Sequence, residues 1–189
     1  MNMGFPHGVL ALSRLAAAPV EWSGRLAADL ATWDLGGLRF ARDPYAELRI
    51  ESLGAAGARV SGRLTAGVEQ ECRRCLAPVV SEVDIPLDLR FDPEIEVEDE
   101  ADGLYALDPG ADELDLLPAL REELLLALPD FPVCREDCRG LCSICGADRN
   151  ESPCDCRSDE IDPRWEVLKE QFRTEPGAAE GTGDGMNDG

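Results

Sequence analysis

The chain has 189 residues, 44% hydrophobic and 30% charged, enough to bury one or two compact cores and too mixed for a fibre or a wholly disordered polymer. Thirty-nine acidic residues against eighteen basic ones give a formal charge of -21, which opposes charge-driven docking on a phosphate backbone or an anionic membrane and favours a basic partner. No stretch reaches the roughly 20 apolar residues of a membrane helix, because Arg14, Glu21 and Arg25 interrupt the most apolar part, so a soluble protein with no membrane partner is expected.

Residues 9–20, VLALSRLAAAPV, have the short apolar run of a signal peptide but no basic segment before it, and Arg14 splits the run. An ordered strand or helix is expected there, and with it a cytoplasmic, reducing setting. Residues 1–45 hold Trp22 and Trp33 in a weakly periodic context that assigns them to the fold without naming elements. From Ala46 the pattern sharpens. Leu48 and Ile50 alternate with Glu47, Arg49 and Glu51, and Val60, Leu64, Ala66 and Val68 share one parity, so both runs read as strands. From Val79 to Phe91, Val79, Val83, Ile85, Leu87, Leu89 and Phe91 take one side while Glu82, Asp84, Asp88 and Arg90 take the other, the mark of a half-buried strand. Pro86 cannot donate to a ladder, so this strand is expected at an edge or bulged at that point.

Residues 92–115 contain eleven acids and no base, and self-repulsion predicts a largely exposed loop. A helix follows, with Leu117, Leu120, Leu124 and Leu128 on one face, Asp115 as N-cap, Pro118 in the first turn, and Pro129 and Pro132 as terminators. Asp162-Pro163 signals a second short helix with Trp165, Leu168 and Phe172 on a shared stripe, and the final residues read as a disordered tail. The fold class is therefore α+β: an antiparallel sheet with a zinc-knuckle hairpin, one main helix, and a Cys-rich segment followed by a short helix. The expected division is residues 1–133, an α+β domain containing the first CxxC; 134–173, the zinc-binding segment and short helix; and 174–189, the tail.

Eight cysteines fall as four close pairs: Cys72 and Cys75, Cys134 and Cys138, Cys142 and Cys145, Cys154 and Cys156. A CxxC turn converges two thiolates on one ion while backbone amides point at the sulfurs, and two such pairs complete a tetrahedral zinc site. Gly146, just after the second ligand of CSICG, suits a positive φ. Spacing favours Cys142, Cys145, Cys154 and Cys156 around one Zn2+, with Cys72, Cys75, Cys134 and Cys138 around a second. Other groupings stay open: Cys134, Cys138, Cys142 and Cys145 together with the outer pairs joined, or a single ion. Disulfides, an iron-sulfur cluster and a redox CxxC are weaker alternatives, the last because Cys72 lies between strands rather than at a helix N-terminus. Each four-thiolate zinc centre carries two net negative charges, which Arg73, Arg74, Arg135, Arg139 and Arg149 can offset locally; contact with ribosomal RNA phosphates is their alternative use.

Enzyme chemistry finds little support. The single histidine, His7, excludes a His-based triad, an HExxH site or a metal-histidine cluster, no glycine-rich phosphate loop is present, and abundant acids without pairing read as surface. The protein is expected to be non-enzymatic, without a small-molecule substrate.

The order ECRRCL, an acidic stretch, ELDLLPALREELLLALP, CREDCRGLCSICGADRNESPCDC and DPRWEVLKEQ resembles the bacterial YceD family of large ribosomal RNA subunit accumulation proteins, in its cysteine-rich form, over roughly residues 46–173. The resemblance implies a cytoplasmic role in accumulation or processing of large-subunit ribosomal RNA, zinc at the matching cysteines, and no established catalytic residue. Family genes often neighbour that of a small ribosomal protein of the large subunit. Asp148-Arg149-Asn150 departs from the NLN-like run more usual after this knuckle. The expected partners are a basic ribosomal protein or an RNA-processing factor, with ribosomal RNA itself as a further option; the alternative class is a zinc-stabilised regulatory or thiol redox-sensing module.

Overall fold

The computed structural model describes residues 7–54, 57–96, 103–156 and 165. The chain divides into two compact units, residues 1–140 and 141–189. The expected boundary at residue 134 thus moves to 141, because Cys134 and Cys138 gather with Cys72 and Cys75 in the first unit. The expected short helix from Asp162, apart from Trp165, and the tail 174–189 lie outside the described residues.

In the first unit, strands β1 (Val9–Ala11), β2 (Val20–Arg25), β3 (Arg39–Leu53), β4 (Gly57–Glu71), β5 (Pro78–Asp92), β6 (Leu104–Ala106) and β7 (Glu113–Asp115) precede helix α1 (Leu117–Ala127). The main sheet has the order β2-β3-β4-β5-β6; its first four strands are antiparallel and β6 lies parallel to β5. The fold is α+β. The two-residue period of the sequence carries the sheet: Ala46, Leu48, Ile50, Val60, Leu64, Val68, Ile85, Leu87 and Leu89 are buried in one cluster with Leu117, Leu120 and Leu124 of α1. Each such aliphatic side chain contributes roughly 1.5–3 kcal/mol by leaving water. The opposite face is polar and cross-braced, Arg49 pairing with Glu21 and Glu51, Arg59 with Asp88, Arg63 with Asp84 and Arg42 with Glu82. Such exposed pairs contribute about 0–1 kcal/mol each and mainly fix register.

Pro86 sits opposite Arg63 of β4, while β6 covers only Arg90, Phe91 and Asp92 of β5. Since the Arg90 amide points outward to Gly103 O at 2.7 Å, the even-numbered positions of β5 aim their nitrogens away from β4, and Pro86 removes a donor from an uncovered edge. The acidic segment differs from expectation. Leu104–Ala106 pairs with β5, Tyr105 stacks on Phe91 with ring centroids 5.3 Å apart, and Glu113–Asp115 pairs with β1, so apolar Tyr105, Leu107 and Leu114 anchor a stretch whose composition is dominated by charge. Residues 97–102 of that segment lie outside the described residues. The weakly periodic N-terminal region supplies β1, β2 and two single 3-10 turns. Its Trp33 is buried, edge-on to Phe40 at 5.1 Å, with Nε1 donating to Ala27 O at 2.9 Å. Arg121 of α1 donates to Trp33 O at 2.8 Å and to Asp34 O at 2.7 Å, tying helix to N-terminal region. The helix begins one residue later than expected: Leu116, not Asp115, is its N-cap and makes no side-chain cap, and Asp115 Oδ1 instead accepts from the Leu117 amide at 3.0 Å just before it. Pro118 occupies the first turn, and Leu117, Leu120, Leu124 and Leu128 are buried as the spacing indicates. Among the described residues no helix is long and apolar enough to cross a membrane.

Gly62 lies mid-strand in β4 with φ +145°, where a Cβ would stand 2.0 Å from the Glu47 carbonyl oxygen of β3. That neighbour is backbone and cannot swing aside. Gly62→Ala should therefore destabilise the first unit by more than about 2 kcal/mol in urea titrations, well beyond the ordinary substitution; a midpoint within error of the parent protein would show that β3 and β4 can separate there without loss.

Candidate metal centres

The loop joining β4 to β5 is the first CxxC. The Cys72 amide donates to Ala77 O at 2.8 Å and the Leu76 amide to Cys72 O at 2.8 Å, turning the chain tightly enough to place both sulfurs on its inner side. Residues 142–147 repeat this pattern: the Cys142 amide donates to Ala147 O at 2.9 Å and the Gly146 amide to Cys142 O at 2.9 Å. Both loops need a left-handed residue just after the second cysteine, at φ +61° in Leu76 and +72° in Gly146. Glycine meets that demand without strain, as the sequence indicates for Gly146. Leucine does so at a cost of about 1–2 kcal/mol, and Leu76 is 58% exposed, so little packing compensates.

The chain after α1 returns to the first loop. The Arg73 amide donates to Pro132 O at 2.9 Å, and Arg74 Nη1 donates to Glu136 O at 3.1 Å and Cys138 O at 3.0 Å. Arg73 lays its guanidinium 3.9 Å from the centre of the Phe131 ring. These contacts set Cys134 and Cys138 against Cys72 and Cys75. Sequence reasoning treats Arg73 and Arg74 only as charge; their use as clamps has no sequence signal, since it depends on where the chain returns.

The eight thiols form two groups, Cys72, Cys75, Cys134 and Cys138, and Cys142, Cys145, Cys154 and Cys156, each with its sulfurs within 4.8 Å of one another. This is the partition that spacing favours. Cys72 Sγ lies 3.8 Å from Cys138 Sγ, and Cys75 Sγ 3.7 Å from Cys134 Sγ. A tetrahedral centre with metal–sulfur bonds of about 2.3 Å has sulfur–sulfur edges of about 3.8 Å, so the first group fits a four-thiolate metal ion such as zinc. A disulfide needs about 2.05 Å, and none of the eight cysteines is in one.

Charge separates the thiols within each group. Burial opposes the Cys72 thiolate, yet the amides of Cys134, Cys75 and Arg74 bring its pKa down to about 6. The amides of Cys145 and Ile144 bring Cys142 to about 6 as well, the Ile144 nitrogen lying 3.4 Å from its sulfur. Cys134 is pushed up to about 12, first by burial and then by its neighbouring sulfurs; Cys156 is also pushed up to about 12, first by hydrogen bonding with Cys145. Cys72 and Cys142 thus form thiolates most readily, while Cys75, Cys134, Cys154 and Cys156 are raised and hold their protons more firmly unless a dication balances the charge. The donor set suits a soft divalent metal.

Two substitutions test this geometry. Cys72→Ser should remove the ion shared with Cys134 and Cys138 while Cys142, Cys145, Cys154 and Cys156 keep theirs, read by metal analysis with alkylation mapping; exposure of Cys154 and Cys156 with Cys134 still protected would contradict the grouping. Leu76→Gly should raise stability by about 1 kcal/mol, because it removes left-handed strain from an exposed side chain, and a lower urea midpoint would show that Leu76 packs usefully.

Comparison with known proteins places this geometry. The family described as large ribosomal RNA subunit accumulation protein YceD matches residues 60–170, a range that includes both cysteine groups. Uncharacterized proteins of Mycobacterium bovis and Mycobacterium tuberculosis are 37% identical over 130 residues, covering 68% of this chain and 62% of theirs. One from Mycobacterium leprae is 33% identical over 129 residues, covering 67% of this chain and 58% of the relative. The chain thus spans somewhat under two thirds of the length of these relatives, and no solved structure matches it. On the span of the family match and the identity to these relatives, the chain belongs to the YceD family.

Proposed function

We propose that this protein is a non-enzymatic ribosome-biogenesis factor supporting accumulation or processing of large-subunit ribosomal RNA. It acts in the cytoplasm as an adaptor and holds one zinc ion in each four-cysteine group. The observation that carries this reading is the family match over residues 60–170, whose description names accumulation of the large ribosomal RNA subunit. Supporting it, the single histidine His7 stands in an exposed turn, and the thiols are gathered in fours rather than left as single nucleophiles.

The direct partner in this reading is a basic ribosomal protein, with an RNA-processing enzyme or ribosomal RNA as the other outcomes. Formal charge of -21 gives such a partner a field to follow, and residues 92–115 concentrate eleven acids without one base. These carboxylates take the place of the phosphates a basic protein later meets, and hold it soluble until assembly. Steering of this kind is screened beyond roughly 8 Å at physiological ionic strength, so association slows steeply as salt rises.

Native against denatured mass should show two zinc ions per chain, and a zero difference with four mapped disulfides would sink the metal part. Replacing Glu94, Glu96, Glu98, Asp99, Glu100 and Asp102 with Gln or Asn should slow association with a basic large-subunit protein and flatten its salt dependence, while zinc content and melting stay nearly unchanged. Sedimentation of the parent protein with large-subunit precursors checks the biological setting. Unaltered capture by the neutralised variant across the salt series would leave these acids as solubility charge alone.

A further inference from the structure

We propose that the two four-cysteine groups have different functions: the first is a permanent fastener of the fold, and the second is an exchangeable site for soft divalent cations whose occupancy orders residues 141–156. The inference rests on the reading that both groups hold metal, and goes beyond it by separating their roles.

Access is the first difference. Three of the four thiols of the first group, Cys72, Cys75 and Cys138, are 0%, 7% and 5% exposed and form an apolar cluster with Ala77, Val79 and Val133 packed on it, while Cys134 is exposed. In the second group only Cys142 is buried; Cys154 is half-buried, and Cys145 and Cys156 are exposed. Metal leaves a thiolate site when an incoming ligand reaches the ion and displaces sulfurs one at a time, so open sulfurs exchange and enclosed ones wait for unfolding.

The second difference is what each group fastens. Cys72 and Cys75 are held at the joined ends of β4 and β5, and Cys138 by the Arg74 hydrogen bond to its carbonyl, so freeing them means opening the sheet end. In residues 141–156 the described backbone makes one bridge, Leu141 with Asp148, and a few turns such as Ser152 N to Asp148 O at 2.8 Å, with no named strand or helix. A segment so sparsely bonded depends on its ion for order, as small metal-nucleated modules do.

Charge is the third. Residues 71–76 and 134–140 carry four arginines against three acids, whereas residues 141–156 carry one arginine against three acids. A four-thiolate centre with two net negative charges is therefore offset at the first group and left in a negative field at the second. All three differences favour release from the same group.

The test uses the full chain loaded with zinc and the chelator 4-(2-pyridylazo)resorcinol, whose absorbance counts released Zn2+, with timed iodoacetamide labelling and peptide mapping. One equivalent should leave at least about tenfold faster than the other, with Cys142, Cys145, Cys154 and Cys156 labelled first and far-UV circular dichroism of the sheet retained. Adding Cd2+ should refill that group alone. A double variant, Cys145→Ser with Cys156→Ser, should keep one slowly released zinc and the parent's main melting transition. Release of both equivalents in a single phase, or first labelling at Cys72, Cys75, Cys134 or Cys138, would overturn the division of roles. A chain that holds no metal and takes none up would instead overturn the metal reading itself, and this inference with it.

Discussion

Four thiols from two distant stretches of chain must meet within a few ångströms, and the first unit is arranged around that requirement. Cys75 and Cys134 are 59 positions apart, and their sulfurs lie 3.7 Å from each other. The intervening chain is β5, the acidic segment with its two short strands, and α1, so strand length, strand pairing and helix length all have to agree for the loop to close. The helix has 11 residues, about 16 Å of rise, and Pro129 and Pro132 prevent its extension past the point where the chain must turn back. Gln70 Nε2 reaches Pro129 O at 3.3 Å and the Arg73 amide reaches Pro132 O, so the return is fastened before either cysteine is placed. A metal ion there would cross-link the sheet end to the helix exit, an effect like that of a long-range disulfide but achievable in a reducing compartment.

The same arrangement explains how a chain with so much negative charge presents it. Arginines on the open sheet face, Arg42, Arg49, Arg59 and Arg63, are each engaged by carboxylates, and Arg42 and Arg59 hold the carboxyls of Glu82 and Asp88 below their ordinary range through direct hydrogen bonds. Arg74 and Arg121 are spent on backbone carbonyls, and Arg73 on an aromatic ring. Seven of the eighteen basic residues thus help to hold the structure together. Arg14, Arg39, Arg90 and Arg149 are exposed too, but between β5 and α1 the sequence contains no base, so acid is unopposed there.

How much of this was legible in the sequence follows from how each element earns its stability. Parity in residues 79–91 and the leucine spacing of 117–128 are direct images of burial, and both appear in the structure with the inward set as expected. The division of the cysteines was legible from spacing because a pair eight residues from its neighbour closes a small loop most easily. The strands β1, β6 and β7 were not, being three residues each and held by partners remote in sequence rather than by a periodic pattern of their own. Composition misled for residues 104–115, where a few apolar side chains, Tyr105, Leu107 and Leu114, decide the path against many charges. Nor does any local rule place leucine at the left-handed position of the first loop, where glycine stands in the second.

The two loops also show that one local geometry can be set in different surroundings. Residues 72–77 and 142–147 share their hydrogen bonds, their left-handed residue and a first cysteine drawn toward the thiolate by backbone amides. One joins two 15-residue strands and packs against Ala77, Val79 and Val133; the other sits in a stretch of turns with two of its four cysteines exposed. Amide donors draw the first sulfur of each loop toward the thiolate, from within the loop at Cys142 and from both the loop and the returning chain at Cys134 for Cys72. How tightly an ion is kept depends on the surroundings that must move to let it go, and those come from the rest of the fold. Two knuckles of matching backbone geometry thus stand in different surroundings within one chain, and that difference is written in the strands and side chains around them rather than in the CxxC itself.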